Sequence, residues 1–243
     1  MGMLYNLQKK LFTVVGDLAW YGWAHPMWVM YSPPSYKVKG DDLYHLTMMV
    51  AKEKLEPGDI LLRAYDRYFS SFFIPGEFKH AGIYVGNVAW NWGELNPKWE
   101  DATPKHTVVH SISEGVLPEN VINFFRTDHL VIVRPNIPKE LRLEAAKKAM
   151  GFVGTPYDFN FKKGDNEIYC TELAALSYKG LMDFEMKTRG FGPFKRESII
   201  ADDIARSDVT WLAWSKSVLD FSIYKEIMEP KASFRAVIPK LWK

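Results

Sequence analysis

The sequence predicts an α+β domain, because its strand candidates cluster in the middle of the chain and its helix candidates flank them. A strand is indicated where apolar or β-branched residues run together or alternate, and a helix where apolar residues recur three and four positions apart. On these criteria, strands are predicted at residues 60–64, 80–88, 107–112, 130–133 and 234–238. Helices are predicted at residues 41–54, 139–152, 169–179 and 201–206.

Turn and capping residues set the limits of these elements. Asp41 suits the first turn of the first helix, because its negative charge interacts favourably with the helix dipole. The sequence E-P-G-D at residues 56–59 is a turn that separates this helix from the first strand. Residues 89–105 contain three tryptophans and two prolines and are predicted to form a long loop. Pro138 begins the helix that follows the strands, and Gly154 lies just beyond its end.

Residues 1–54 are predicted to form a helical, Trp-rich extension, and residues 55–243 the main domain. The apolar stretch over 4–23 is similar to a signal peptide, but Asp17 interrupts it and no small-residue cleavage site follows. We therefore expect an amphipathic helix that packs on the domain, and a cytoplasmic protein. Because aromatic side chains suit the headgroup zone of a bilayer, peripheral membrane contact through residues 1–35 stays open. Delivery by a virus particle also stays open, since a cell-wall substrate would require a route out of the cell.

Composition excludes several kinds of site. The formal net charge is only +2, which disfavours a nucleic-acid partner because such a surface must neutralise many phosphates. Cys170 is the single cysteine, so an intramolecular disulfide and a multi-cysteine zinc site are excluded. Four histidines, His80, His106, His110 and His129, lack the spacing of metal ligands on a predicted helix. We expect no metal and no other cofactor.

Cys170 is the natural candidate for a nucleophile. It begins a predicted helix, where the helix dipole and unpaired backbone N–H groups are expected to lower the pKa of the thiol. The alternative is a buried thiol that only fills space. A thiolate nucleophile needs an imidazole, and the imidazole needs an orienting group. If the strands that carry His80 and His110 pair antiparallel, the two imidazoles can be neighbours. Glu114, with the same strand parity as His110, is the alternative orienting residue.

Five segments carry a family resemblance. In chain order they read L-E-P-G-D-I-L-L (55–62), H-A-G-I-Y-V-G (80–86), G-T-P-Y-D-F (154–159), Y-C-T-E-L (169–173) and D-D-I-A-R-S (202–207). Their order and spacing resemble the permuted NlpC/P60 papain-like cysteine hydrolases of the YiiX/YebB type. The resemblance implies a circularly permuted papain-like fold, with a central antiparallel sheet or half-barrel packed by helices.

The same resemblance implies Cys170 as nucleophile and His80 as general base. The third polar residue is often Glu in the permuted group. It is His in classical NlpC peptidases and in lecithin:retinol acyltransferase-like enzymes, and His110 matches that second choice.

The resemblance also implies acyl transfer, with hydrolysis of an amide bond through a cysteine thioester. The expected substrates are a peptidoglycan-type peptide or an amino-acid amide, and the expected enzyme class is a cysteine peptidase or amidase. Tyr157, Asp158 and Tyr169 are predicted to bind substrate, because they lead to Cys170 along the chain. Two alternatives stay open: a lipid-directed thiol acyltransferase or thioesterase of the lecithin:retinol acyltransferase-like type, and a catalytically silent binding module.

Overall fold

The computed structural model describes residues 37–66, 74–87, 106–159, 166–189 and 195–228. The expected N-terminal helix over 4–23, the long loop over 89–105 and the last strand over 234–238 lie outside the described residues.

The described residues form a six-stranded antiparallel sheet with the strand order β4-β3-β2-β1-β5-β8, and a short hairpin made of β6 and β7. The strands are β1 (Ile60–Ala64), β2 (His80–Gly86), β3 (Thr107–Ile112), β4 (Gly115–Asn120), β5 (His129–Pro135), β6 (Lys187–Arg189), β7 (Arg196–Ser198) and β8 (Val209–Trp214). The helices are α1 (Asp41–Ala51), α2 (Val121–Phe124), α3 (Lys139–Gly151), α4 (Cys170–Tyr178), α5 (Ala201–Arg206) and α6 (Ser222–Met228). A 3₁₀ turn, Lys216–Asp220, connects β8 to α6.

Both faces of the large sheet are buried, and alternate residues of each strand supply them. On the first face, side chains such as Ile60 and Ile83 pack with Ala145 of α3 and Leu173 of α4. Small alanines on α3 allow that helix to approach the sheet closely. On the second face, apolar side chains of the sheet pack with residues of α1 and α2. These second-face residues include Leu46, Val50, Leu61, Tyr84, Val108, Val121 and Phe124.

Two strands of the large sheet were not predicted, and both are edge strands. β4 contains Pro118, which lacks a backbone N–H and reads as a strand breaker. It is tolerated because β4 pairs on one side only, with β3. β8 pairs only with β5 and carries a register shift. The hairpin and the helices α2 and α6 were also missed. Among the described residues, no helix is both long enough and apolar enough to span a membrane.

Candidate active site

Two imidazoles meet on the second face of the sheet, where β2 lies between β1 and β3. His80 pairs with Arg63 of β1, and His110 of β3 lies opposite Gly82. The two histidines are therefore diagonal neighbours, and His80 Nε2 lies 2.8 Å from His110 Nδ1. Because one proton is shared between these nitrogens, Nδ1 is the His80 nitrogen that remains to exchange a proton elsewhere. Glu114 is exposed in the β3–β4 turn and accepts a hydrogen bond from the neighbouring serine hydroxyl (2.6 Å), so it is not brought to His80.

A glycine and an aromatic ring define the space around this histidine pair. The Phe124 ring centroid lies 5.7 Å from that of His80 and 5.5 Å from that of His110. A Cβ atom on Gly82 would lie 2.5 Å from a Val108 methyl group and 2.9 Å from a carbon of the Phe124 ring. The absence of a side chain at Gly82 therefore makes room for the ring that packs against both imidazoles.

Cys170 is the first residue of α4 and is only 5% exposed. Its thiol lies 4.0 Å from the carbonyl oxygen of Lys79, to which it donates. The backbone N–H groups of Ala81 and Thr171 donate to the sulfur. The sulfur therefore contacts the backbone of Lys79 and Ala81, the two residues that flank His80 in the sequence. This contact brings the start of the helix to the start of β2.

Hydrogen bonds hold the start of α4 in place. Ser111, next to the site histidine of β3, donates from its hydroxyl to the carbonyl oxygen of Ile168 (2.6 Å). Thr171 donates from its hydroxyl to the carbonyl oxygen of Ile199 (2.7 Å). The N–H of Ile199 in turn donates to the hydroxyl of Tyr169 (3.1 Å). Tyr169 was expected to bind substrate, and here it is buried with its hydroxyl engaged by the backbone.

The segment that leads into β2 is anchored by Asp202 of α5. The buried carboxylate accepts hydrogen bonds from the backbone N–H groups of Glu77 (2.9 and 3.0 Å) and Phe78 (2.8 Å). Gly76 has φ +89°, and a Cβ there would lie 2.8 Å from the carboxyl carbon of Asp202. The sequence motif that contains Asp202 was recognised, but this role in positioning His80 was not.

Tyr157 and Asp158 precede α4 and were also expected to bind substrate. Tyr157 is half-buried, and its ring packs edge-on against Phe159 (4.9 Å). Burial raises the pKa of Tyr157 well above its ordinary value, and the nearby Cys170 raises it further. Asp158 is buried. The phenol of Tyr157 is therefore close enough to the thiol for the two groups to interact electrostatically.

The thiol and both imidazoles are neutral near pH 7. Burial lowers the pKa of His80 and of His110 well below the ordinary value, and the positive charge of Arg63 lowers both further. Burial raises the pKa of Cys170, although backbone N–H donors and Arg63 oppose this effect. The expectation of a lowered thiol pKa was therefore wrong: the N–H groups at the helix N-terminus do lower the pKa, but burial raises it more.

Two charged residues beside the histidines were missed by sequence reasoning. Arg63 donates to the carbonyl oxygen of Phe124 (3.2 Å), and its guanidinium lies 4.0 Å from the centre of that ring. Glu119 Oε2 lies 3.6 Å from Arg63 Nη1 and 3.4 Å from His110 Nε2. Arg63 had a signal, since it is the one charge within the apolar strand Ile60–Ala64. Glu119 had none, because it follows a proline in an unpredicted strand.

Two further histidines, one just before β3 and one at the start of β5, have partners outside this site. His106 Nδ1 lies 2.8 Å from the hydroxyl of Tyr84, and His129 Nε2 lies 2.8 Å from a carboxylate oxygen of Asp66. Within the described ranges, no group of three or more His, Cys, Asp or Glu residues is arranged to hold a metal ion.

Comparison with known proteins gives two similarities. The family model described as permuted papain-like amidase enzyme (YaeF/YiiX, C92 family) matches residues 54–204. A crystal structure described as metalloprotein yiiX from Escherichia coli O157:H7 is similar, with a TM-score of 0.50 and 17% identity. The similarity covers 66% of this chain and 97% of that chain. No curated protein matches the sequence.

These similarities bear on fold and on reaction class in different ways. The structural similarity, at 17% identity, concerns the fold alone and agrees with the expected permuted papain-like α+β fold. The family description favours amide hydrolysis, and it does not favour a lipid-directed enzyme or a silent module. The NlpC/P60 label stays a prediction from the sequence.

Proposed function

The chain belongs to the family of permuted papain-like amidases, and on this premise we propose that it hydrolyses amide bonds with Cys170 as nucleophile. His80 is the general base, and His110 orients it. The substrate is a peptidoglycan-type peptide or an amino-acid amide. The observation that carries the proposal is the 2.8 Å contact between His80 Nε2 and His110 Nδ1, made where the Cys170 sulfur meets the backbone on both sides of His80.

Acylation begins from a neutral thiol and a neutral imidazole. Nδ1 of His80 takes the thiol proton as the sulfur attacks the amide carbonyl carbon, so that an S–C bond forms and the carbonyl electrons move to oxygen. The tetrahedral intermediate collapses when the C–N bond breaks. The imidazolium of His80 gives its proton to the leaving amine, which departs and leaves an acyl thioester on Cys170.

Hydrolysis of the thioester uses the same groups with water. His80 takes a proton from water as its oxygen attacks the thioester carbonyl, and collapse of this second intermediate breaks the C–S bond. The proton returns from His80 to the sulfur, so the neutral pair is restored. Since neither imidazole carries a charge at rest, the positive charge that develops on His80 must be stabilised within the site. His110 supplies that stabilisation through its contact with Nε2.

Stabilisation of the oxyanion is assigned to groups beside the sulfur. The start of α4 presents backbone N–H groups at Cys170, where the helix dipole favours negative charge. The phenol of Tyr157, whose pKa is raised well above the ordinary value, stays protonated and is proposed to bind substrate near the thiol. Removal of one oxyanion donor typically costs about 10²–10³ in kcat.

The test is hydrolysis of a defined panel by the full chain and its variants. The panel consists of amino-acid p-nitroanilides and synthetic stem peptides of peptidoglycan, with products measured by absorbance and mass spectrometry. We expect Cys170→Ala to abolish turnover and His80→Ala to lower kcat/KM by about 10³-fold or more. His45→Ala removes an exposed imidazole of α1 and serves as the matched control. Hydrolysis by folded Cys170→Ala at the wild-type rate would overturn the proposal.

A further inference from the structure

Glu119 faces the outer nitrogen of the histidine pair. His110 is 2% exposed, and its Nδ1 is engaged with His80. Its other nitrogen, Nε2, lies 3.4 Å from Oε2 of Glu119. Both atoms are buried, and within the described part of the chain neither makes a hydrogen bond of good geometry with any group, each other included. The carboxylate is therefore the polar neighbour that His110 Nε2 meets.

Two guanidinium groups favour the charged form of Glu119, although burial has the larger effect on its pKa. Burial raises the pKa of the Glu119 carboxyl, while the positive charges of Arg63 and Arg126 oppose that rise. Arg63 Nη1 lies 3.6 Å from the same oxygen that faces His110. Arg63 is itself held by the Phe124 carbonyl and ring. One oxygen of Glu119 thus sits between a fixed cation and the His110 imidazole.

A neutral histidine pair with one shared hydrogen bond has two proton arrangements. In the first, His80 donates from Nε2 to Nδ1 of His110, and His110 carries its own proton on Nε2, towards Glu119. In the second, His110 donates from Nδ1, so His80 carries its proton on Nδ1. The second arrangement also points an unprotonated His110 nitrogen at a carboxylate oxygen, which is electrostatically unfavourable.

We infer that Glu119 is a positioning residue that selects the first arrangement and so keeps Nδ1 of His80 unprotonated. The significance of this selection for catalysis rests on the proposed function, because an unprotonated Nδ1 is what allows His80 to accept the thiol proton. Loss of the correct tautomer is among the most damaging changes known for an orienting group. Glu119 acts one residue further out, through His110.

The direct test is the tautomer of each imidazole, measured by long-range ¹H–¹⁵N NMR on the ¹⁵N-labelled full chain at pH 7.5. His80→Gln and His110→Gln variants assign the two rings among the six histidines. We expect both wild-type rings to carry the proton on Nε2. A proton on Nδ1 of either ring in the wild type would overturn the inference, whatever the variants do.

Two substitutions of Glu119 distinguish the effect of losing its side-chain oxygens from an effect on folding. Glu119→Leu removes the acceptor, and we expect a population with the proton on Nδ1 of both rings to appear. Glu119→Gln keeps an oxygen beside Arg63, and we expect it to retain the wild-type tautomers. Glu144→Leu, in an exposed ion pair with Lys148 on α3, is the matched control and is expected to change nothing. Wild-type tautomers in folded Glu119→Leu would overturn the inference. A proton on Nδ1 of either ring in Glu119→Gln would overturn it as well.

The kinetic readout follows from the same variants. We expect kcat/KM on the substrate found in the panel to fall about 10–100-fold in Glu119→Leu and to stay near the wild-type value in Glu119→Gln. If the tautomers are as expected but Cys170→Ala still hydrolyses amides, the proposed function fails and the role of Glu119 in selecting the tautomer stands. If Cys170→Ala is inactive but a wild-type ring carries its proton on Nδ1, the role of Glu119 fails and the proposed function stands.

Discussion

Gly82→Ala is the most informative single substitution, because it adds one methyl group at the centre of the histidine pair. The new Cβ would lie 2.5 Å from the Val108 methyl and 2.9 Å from the Phe124 ring carbon. Ordinary carbon contacts are about 3.5 Å or longer, so the methyl group must retreat by about 1 Å and the ring by about 0.6 Å. Overpacking of this size lowers the free energy of unfolding by about 1–3 kcal/mol.

The catalytic effect of Gly82→Ala should exceed its effect on folding. Phe124 packs against both imidazoles, so its displacement moves the His80–His110 pair. A misplacement of about 1 Å can cost about 10²-fold in rate. We expect kcat/KM to fall about 10–100-fold in a variant that is still folded at 25 °C.

The assay pairs urea denaturation with amide hydrolysis. Gly151→Ala is the matched control, since a Cβ at that position in α3 meets no atom within 4 Å. It should retain wild-type activity and stability, or gain up to about 1 kcal/mol of stability. Wild-type kcat/KM in Gly82→Ala would refute the argument that this glycine makes room for the ring that supports the imidazoles.

Three further predictions concern the thiol, the paired histidines and the anchor of the β2 segment. Because burial raises the pKa of Cys170, iodoacetamide labelling followed by intact mass should be slow at pH 6 and should accelerate only above about pH 8.5; rapid labelling at pH 6 would contradict the neutral thiol. Folding lowers the pKa of His80 and of His110. The fold is therefore most stable above the unfolded-state histidine pKa of about 6.5, where both imidazoles are neutral, and it loses this stability as the pH falls below that value. Urea titrations should show that the free energy of unfolding falls by up to about 1.4 kcal/mol per histidine per pH unit, and by less in the His80→Gln/His110→Gln variant. An equal pH dependence in both proteins would contradict the lowered histidine pKa values. Asp202→Ala removes the carboxylate that accepts hydrogen bonds from N–H groups of the segment before β2. It should lower the free energy of unfolding by about 2–3 kcal/mol and also lower kcat/KM. An unchanged denaturation midpoint would show that the segment has another anchor.

Local sequence patterns predicted the elements that carry the site. β1, β2 and β3 have continuous or alternating apolar residues, and α4 begins at a cysteine followed by helix-forming residues. Element ends were off by up to three residues, because terminal turns depend on contacts that a local pattern does not contain. β4 was missed because Pro118 argues against a strand, and only its position at the edge of the sheet makes the proline acceptable.

Long-range relations and burial explain what was missed within the site. Arg63 and Glu119 meet His110 through strand register, which places residues distant in sequence side by side. The sequence predicted a lowered thiol pKa, whereas in the structure it is raised. The helix N-terminus can be predicted from the sequence, but the burial of Cys170 cannot. Asp202 was part of a recognised motif, but its hydrogen bonds to the segment before β2 depend on the packing of α5.

The most direct test of Cys170 as nucleophile is the mass of the intact protein, quenched in acid during turnover of an ester analogue of the best panel substrate. We expect one acyl group per chain, carried by Cys170 and released by neutral hydroxylamine as expected of a thioester. The acyl group should be absent from Cys170→Ala and should form far more slowly in His80→Ala than in His45→Ala. An acyl group on another residue, or turnover by Cys170→Ala, would contradict the role of Cys170 as nucleophile.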